Sequence, residues 1–295
     1  MVQAPGGLQI IGAMRSDPGL VRPLNEDVVA WITPHEDEVA MRHGSLALVA
    51  DGMGGHAAGE VASAMAAEVI RRLFYELDGP VPQVLSQAFA AAHHAILDYA
   101  DKHPECRGMG TTCTVLAFRS GQAWLGHIGD SRAYLLRDRN LTQLSEDQTL
   151  VAKLVSEGTM TQEEAEQSPM HNVILQALGA MRQIQPMIST DGIPLRAGDI
   201  LIICSDGVSN LVPGDKIVET ACRLPPQEAC DALIEAALAA GGYDNASLGI
   251  FGVTEATSIK RASEPTTRRI QIPIPHERAN FSHPSAAALN QRSAH

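Results

Sequence analysis

The hydrophobic positions of this chain fall into short, nearly unbroken runs that stop at glycine or aspartate. SLALVADG (45–52), TTCTVLAF (111–118), QAWLGHIGD (122–130), RAYLLR (132–137), DILIICSDG (199–207) and ASLGIFGV (246–253) have the length and residue types of strands. Two longer, Ala-rich stretches, 59–77 and 81–103, read as helices separated by the breaker Asp78-Gly79-Pro80, and as an antiparallel pair they would cover one sheet face. A second helical pair is expected from 147–157, stopped by Gly158, and 225–240, opened by prolines and closed by Gly241-Gly242. Strands in hairpin order with helices in blocks predict an α+β layered sandwich rather than alternating βαβ units.

Composition adds a boundary. Residues 1–254 carry 16 Lys/Arg against 31 Asp/Glu, a net −15, whereas residues 255–295 carry six against three, a net +3. That second segment is rich in Pro, Ser, Thr and Arg without apolar periodicity, so it is expected to be a disordered basic tail. The expected organisation is a short N-terminal extension (1–7), one domain (8–254) and the tail (255–295). An acidic body argues against a nucleic-acid partner, which needs clustered Lys and Arg. Five cysteines, with no C-x-x-C pair, suit a reduced, cytoplasmic compartment. No run approaches the ~20 apolar residues that span a bilayer. The N-terminus has neither a basic region nor a long apolar one, so an unexported protein without membrane insertion, and a monomer, is expected.

The candidate chemistry sits at the ends of the apolar runs. LALVADGMGGH, LGHIGDSRAY, ILIICSDG and GGYDNAS each bring an aspartate to the end or start of such a run: Asp51, Asp130, Asp206 and Asp244. One Asp-Gly is a common turn. Four carboxylates brought to one rim would repel by on the order of several kcal/mol unless neutralised, and divalent cations supply that charge. Oxygen-only ligation without a His/Cys cluster favours Mg²⁺ or Mn²⁺. A water held between two such ions becomes a nucleophile for in-line attack on phosphorus, and no serine or cysteine nucleophile is then needed.

The ordered segments R-x-x-N-E-D (22–27), V-A-D-G-M-G-G-H (49–56), G-T-T (110–112), G-D-S-R-x-Y (129–134), S-D-G (205–207) and G-G-x-D-N (241–245) resemble the PP2C or PPM phosphatases, most of all their bacterial branch. The resemblance spans roughly residues 8–253. It implies a four-layer αββα sandwich with two central antiparallel sheets flanked by helix pairs. It also implies hydrolysis of phosphoserine and phosphothreonine monoesters by a hydroxide bridging two Mn²⁺ or Mg²⁺ ions, with phosphoproteins as substrates and a Ser/Thr kinase as the opposing activity. By the same resemblance Asp51 bridges the metals, the Gly52 carbonyl, Asp206 and Asp244 complete the core ligands, and Asp130 with Asp206 holds a looser third ion. Glu26, Asp27 and Asn245 order the ligands or act through water, Arg22 grips the substrate phosphate, and 151–179 corresponds to the flap beside the active site.

Met53 departs from the family's eukaryotic members, which carry a histidine there as a proposed acid for the leaving alcohol; a thioether has no proton to give. His56 is the neighbouring substitute, although a histidine opening a helix after Gly54-Gly55 is more often a structural hydrogen-bonder. Gln148 stands where the family often has His, and Val208 where Leu is common. Within 151–179 the residues themselves indicate a helical connector with a polar loop. His93-His94 read as packed or solvated, and Asp37-Glu38 as part of a hairpin loop. Two other functions remain open: a phosphatase of a partner-switching regulator, and an inactive module that binds phosphoproteins.

Overall fold

The computed structural model describes residues 3, 4, 7–34, 37–54 and 58–256. The expected tail, but for Glu255 and Ala256, lies outside these residues, as does His56.

The apolar runs become strands because both of their faces are covered. One sheet has six strands, Gln3–Ala4 (β1), Leu8–Asp17 (β2), Arg132–Arg137 (β8), Asn140–Gln143 (β9), Ile200–Cys204 (β12) and Ala246–Glu255 (β13), in the order β1-β2-β13-β12-β8-β9. The other has seven. Asp27–Ile32 (β3), Ser45–Met53 (β4), Cys113–Arg119 (β6), Gln122–Ile128 (β7) and Met187–Ile188 (β10) run in the order β10-β7-β6-β4-β3, with Gly110–Thr111 (β5) pairing β4 and Ile193–Pro194 (β11) pairing β7. The pairings are antiparallel throughout.

Alternation along β4 shows the layering. Leu46, Leu48 and Ala50 enter a core shared with the helices Gly59–Glu76 (α2) and Val81–Lys102 (α3), whereas Ala47 and Val49 face the other sheet. On β12, Leu201 and Ile203 join the inter-sheet core, and Ile202 and Cys204 face the helices Gly214–Arg223 (α7) and Pro226–Ala239 (α8). Three cores therefore separate four layers, αββα, as expected. Trp31 seals the inter-sheet core, its ring 4.8 Å from that of Phe251 and 5.7 Å from that of Phe118.

Two expectations are corrected. The partner of α8 is α7 rather than the 147–157 segment, whose helix Leu150–Ser156 (α4) packs instead against Gln162–Glu166 (α5). The helix α7 buries Ile217, Thr220 and Ala221. The second concerns Asp37-Glu38, which open a helix, Asp37–His43 (α1), rather than a hairpin loop. Asp206–Ser209 forms a single short turn of helix (α6) at the end of β12. Among the described residues no helix is long and apolar enough to cross a membrane.

Candidate metal centre

Register brings the predicted carboxylates to one rim. The β3–β4 ladder sets Asp27 opposite Asp51. In the other sheet, Cys204 pairs both Arg132 and Leu248, and Ala246 pairs Asp17. Asp130, Asp206 and Asp244 lie within two residues of those pairs, at the same edge. The two sheets are tied there by the Ser205 hydroxyl, which donates to Asp27 Oδ2 at 2.9 Å. Close approach of backbones demands glycine at two of these positions: a Cβ on Gly52 would strike the Gly59 carbonyl and lie 2.6 Å from that of Glu26, and one on Gly207 would strike the Asn245 carbonyl.

The carboxylates lack enough positive charge. Desolvation, with repulsion from Asp206 and Asp244, pushes Asp27 up to about 7, although Ser247 and Ser205 hydrogen-bond its charged form. Its Oδ1 is buried without a partner. Asp130 is also pushed up to about 7, by desolvation and then by Asp206 and Asp147. Asp51 is raised well above the ordinary carboxylate range by burial and by Asp27, Asp206, Asp130 and Asp244. Asp206 is itself raised by desolvation and by repulsion from Asp244. Arg22 supplies the nearby cation, its Nη2 2.7 Å from Asp244 Oδ2, and it also attracts Glu26 and Asp51. Among the described residues no three acidic, His or Cys side chains converge on one point as finished ligands. The carboxylates approach one another pairwise, and with an orphaned buried oxygen and oxygen-only donors they fit hard divalent cations.

Neighbouring polar groups hold this rim. Asp51 is fixed by backbone and side-chain bonds to the Gly-Thr-Thr segment: its N–H donates to Thr112 Oγ1 (3.2 Å), and its carbonyl accepts from Thr112 N (2.9 Å) and Thr111 Oγ1 (2.9 Å). Thr112 also meets Ser131 at 2.9 Å, linking Asp51 to the turn that carries Asp130. Gln148 fastens that turn from the far side, its Oε1 accepting from Gly129 N at 2.9 Å and its own N–H donating to Gly129 O at 2.8 Å. The carboxylate of Glu26 accepts from Gly59 N–H, the first residue of α2, and is raised by desolvation that this bond and Arg22 partly offset. Asn245 is 5% exposed. Its Oδ1 accepts from Glu26 N at 2.8 Å and its Nδ2 donates to the carbonyls of Pro18 and Leu24, both at 2.9 Å, so one side chain shapes the loop that carries Arg22.

Met53 pairs Gly110 in β5, directly after the site. The 151–179 segment folds as α4 and α5 and returns to the rim where Leu178 N donates to Thr111 O at 2.9 Å. His93 is buried and accepts from Gly179 N at 3.1 Å, whereas His94 is exposed, so neither joins the rim. Sequence reasoning assigned no role to Ser205, Thr112 or Ser131; each belongs to a quoted motif, and a hydroxyl beside an acidic strand end was the available signal.

A family model described as protein phosphatase 2C matches residues 31–238. The chain is 40% identical over 245 residues to serine/threonine protein phosphatase PstP of Mycobacterium tuberculosis, covering 82% of this chain and 45% of that protein. It therefore spans under half the length of that relative. Protein phosphatase PhpP of Streptococcus pneumoniae is 34% identical over 249 residues, 82% of this chain and 97% of PhpP. The crystal structure of the catalytic domain of PstP in complex with two manganese ions superposes with a TM-score of 0.72 at 39% identity, covering 84% of this chain and 99% of that one. With the family model matching residues 31–238 and the match to PhpP covering 97% of that protein at 34% identity, the chain belongs to the protein phosphatase 2C family.

Proposed function

We propose that this chain is a metal-dependent serine/threonine phosphoprotein phosphatase that opposes a Ser/Thr protein kinase. The observation that carries the reading is the single rim on which Asp51, Asp206, Asp244 and Asp130 gather, with the half-exposed guanidinium of Arg22 on Asp244. Asp51, the Gly52 carbonyl, Asp206 and Asp244 would hold two Mn²⁺ or Mg²⁺ ions, and Asp130 with Asp206 a third. Divalent cations bound there supply positive charge against the phosphate oxygens and make water a stronger nucleophile.

The remaining work falls to side chains. Arg22, about half exposed on Asp244, is free to turn its planar guanidinium onto two phosphate oxygens and offset the charge that grows there. Ser205 orients Asp27, Glu26 caps α2, and Asn245 holds the Arg22 loop in register. Met53 cannot protonate the leaving alcohol, so that proton comes from another group. Free cysteines at 106, 113, 204, 222 and 230 support a cytoplasmic setting.

The test is Mn²⁺-dependent phosphate release from phosphoserine and phosphothreonine peptides. Asp206→Asn should reduce it by more than the roughly 10–100-fold typical of residues that only support ligands. An inactive binding module is disfavoured because every expected carboxylate is present. No release with metal, or an Asp206→Asn variant as active as the parent, would overturn the phosphatase reading.

A further inference from the structure

The loops that carry Arg22 and Asp244 also carry exposed apolar side chains that no part of the hydrolysis uses. Four of the eight large hydrophobic residues left exposed among the described residues lie here: Leu20 (68%), Val21 (64%), Leu24 (45%) and Tyr243 (64%). Val21 precedes Arg22 directly, and Tyr243 precedes Asp244.

Their placement is held by backbone bonds. Leu20 N donates to Gly242 O at 2.8 Å, fastening one loop to the other, and the two Asn245 bonds to Pro18 and Leu24 fasten it again on either side of Arg22. The adjoining glycines form a floor. A Cβ on Gly242 would lie 3.0 Å from Leu20 Cγ, and one on Gly241 would strike the Tyr243 ring, so each side chain lies over a bare glycine backbone. Even so, between 45% and 68% of each of these residues remains in water, which is costly for apolar groups.

We infer that Leu20, Val21, Leu24 and Tyr243 form a platform that receives an apolar side chain of the substrate polypeptide close to its phosphoserine or phosphothreonine. This rests on the phosphatase reading above. Continuity fixes the occupant: a phosphate held by Arg22 places the flanking residues of its own chain over these side chains. Charge narrows its chemistry, since the body carries a net −15 and the adjacent rim is lined by aspartates, which repel acidic flanks, and the four exposed apolar side chains offer an apolar group a contact that a polar one lacks.

The experiment compares kcat/KM across phosphopeptides of one backbone in which each position from −3 to +3 is Leu, Ser or Glu, in Mn²⁺, beside a small aryl phosphate. At one or two positions Leu should exceed Ser by about 10-fold, the lower end of what an apolar contact discriminates, and Glu should be poorest. In Leu20→Ser/Tyr243→Ser the Leu-to-Ser ratio at those positions should fall to about one. A ratio needs no correction for partly folded enzyme. Equal turnover of all peptides by the parent, or a preference that survives in the double variant, would overturn the platform. If the aryl phosphate is also untouched, the failure belongs instead to the phosphatase reading.

Discussion

Replacing Asn245 by alanine tests whether the site is shaped by the hydrogen bonds of a single amide. The side chain is buried and makes three bonds to main-chain groups on residues 18, 24 and 26, more than 200 residues earlier in the chain. Alanine leaves Glu26 N–H and the carbonyls of Pro18 and Leu24 without their partner. Those loops are partly accessible, so water repairs part of the loss, and about 1 kcal/mol for each group gives about 3 kcal/mol. For a domain of about 250 residues, with an unfolding entropy near 0.5 kcal/mol per kelvin, this lowers Tm by about 6 °C. Because Arg22 lies between Pro18 and Leu24, KM for a small phosphate ester should rise by about 10-fold, more than kcat falls. Asn245→Asp is the sharper control. It keeps the acceptor for Glu26 but turns a carboxylate oxygen toward two carbonyls, so above neutral pH it should be at least as unstable as the alanine variant. Scanning calorimetry and steady-state kinetics read both effects. A Tm within about 1 °C of the parent with unchanged KM would refute the argument.

Asp27 and Asp130, both pushed up to about 7 from 3.8, hold protons in the metal-free fold that the unfolded chain has released. Their contribution to stability is therefore complete below about pH 4 and is lost as pH rises through 7, so the metal-free Tm should fall across that window. Excess Mn²⁺, competing with those protons, should reverse the slope; equal slopes with and without Mn²⁺ would refute the linkage. Arg137→Ala removes the bidentate partner of Asp199, which is 2% exposed, and should cost about 2 kcal/mol by denaturant titration. As Arg137 lies five residues along β8 from Arg132, about 17 Å from the rim, kcat/KM should not change. Ending the chain after Ala256 should leave turnover of a small phosphate ester intact, as we propose that the catalytic domain stops at about residue 254; a large loss would move that boundary.

What could be read from sequence follows from burial. Strands covered on both faces, such as β4, β6, β8, β12 and β13, appear as unbroken apolar runs that stop where the chain leaves the core. The strand β2 is mostly half-buried and mixes Gln9, Arg15 and Ser16 with its apolar residues, so neither a run nor a clean alternation marks it. It is specified by the ten-residue ladder to β13, a partner more than 200 residues away. Helix pairing failed for the same reason: 147–157 and 225–240 both look helical, but which helix meets which is decided by the sheets beneath them.

The rim divides along the same line. Its aspartates are legible because each ends or precedes a run, a local property. Their supporting bonds are long-range: Ser205 reaches Asp27 across 178 residues, and Asn245 reaches Glu26 across 219. Those bonds join the two sheets at the place where carboxylates repel most, so the fold must already be complete before the rim exists. A substitution in either sheet that loosens this end therefore weakens cation affinity without touching a ligand, and cation binding in turn stabilises both sheets together. Ser205→Ala tests the coupling. It leaves every proposed ligand in place but removes the hydroxyl from Asp27, and it should raise the Mn²⁺ dissociation constant by about 10-fold in calorimetry. An unchanged constant would mean that the sheets hold the rim without this bridge.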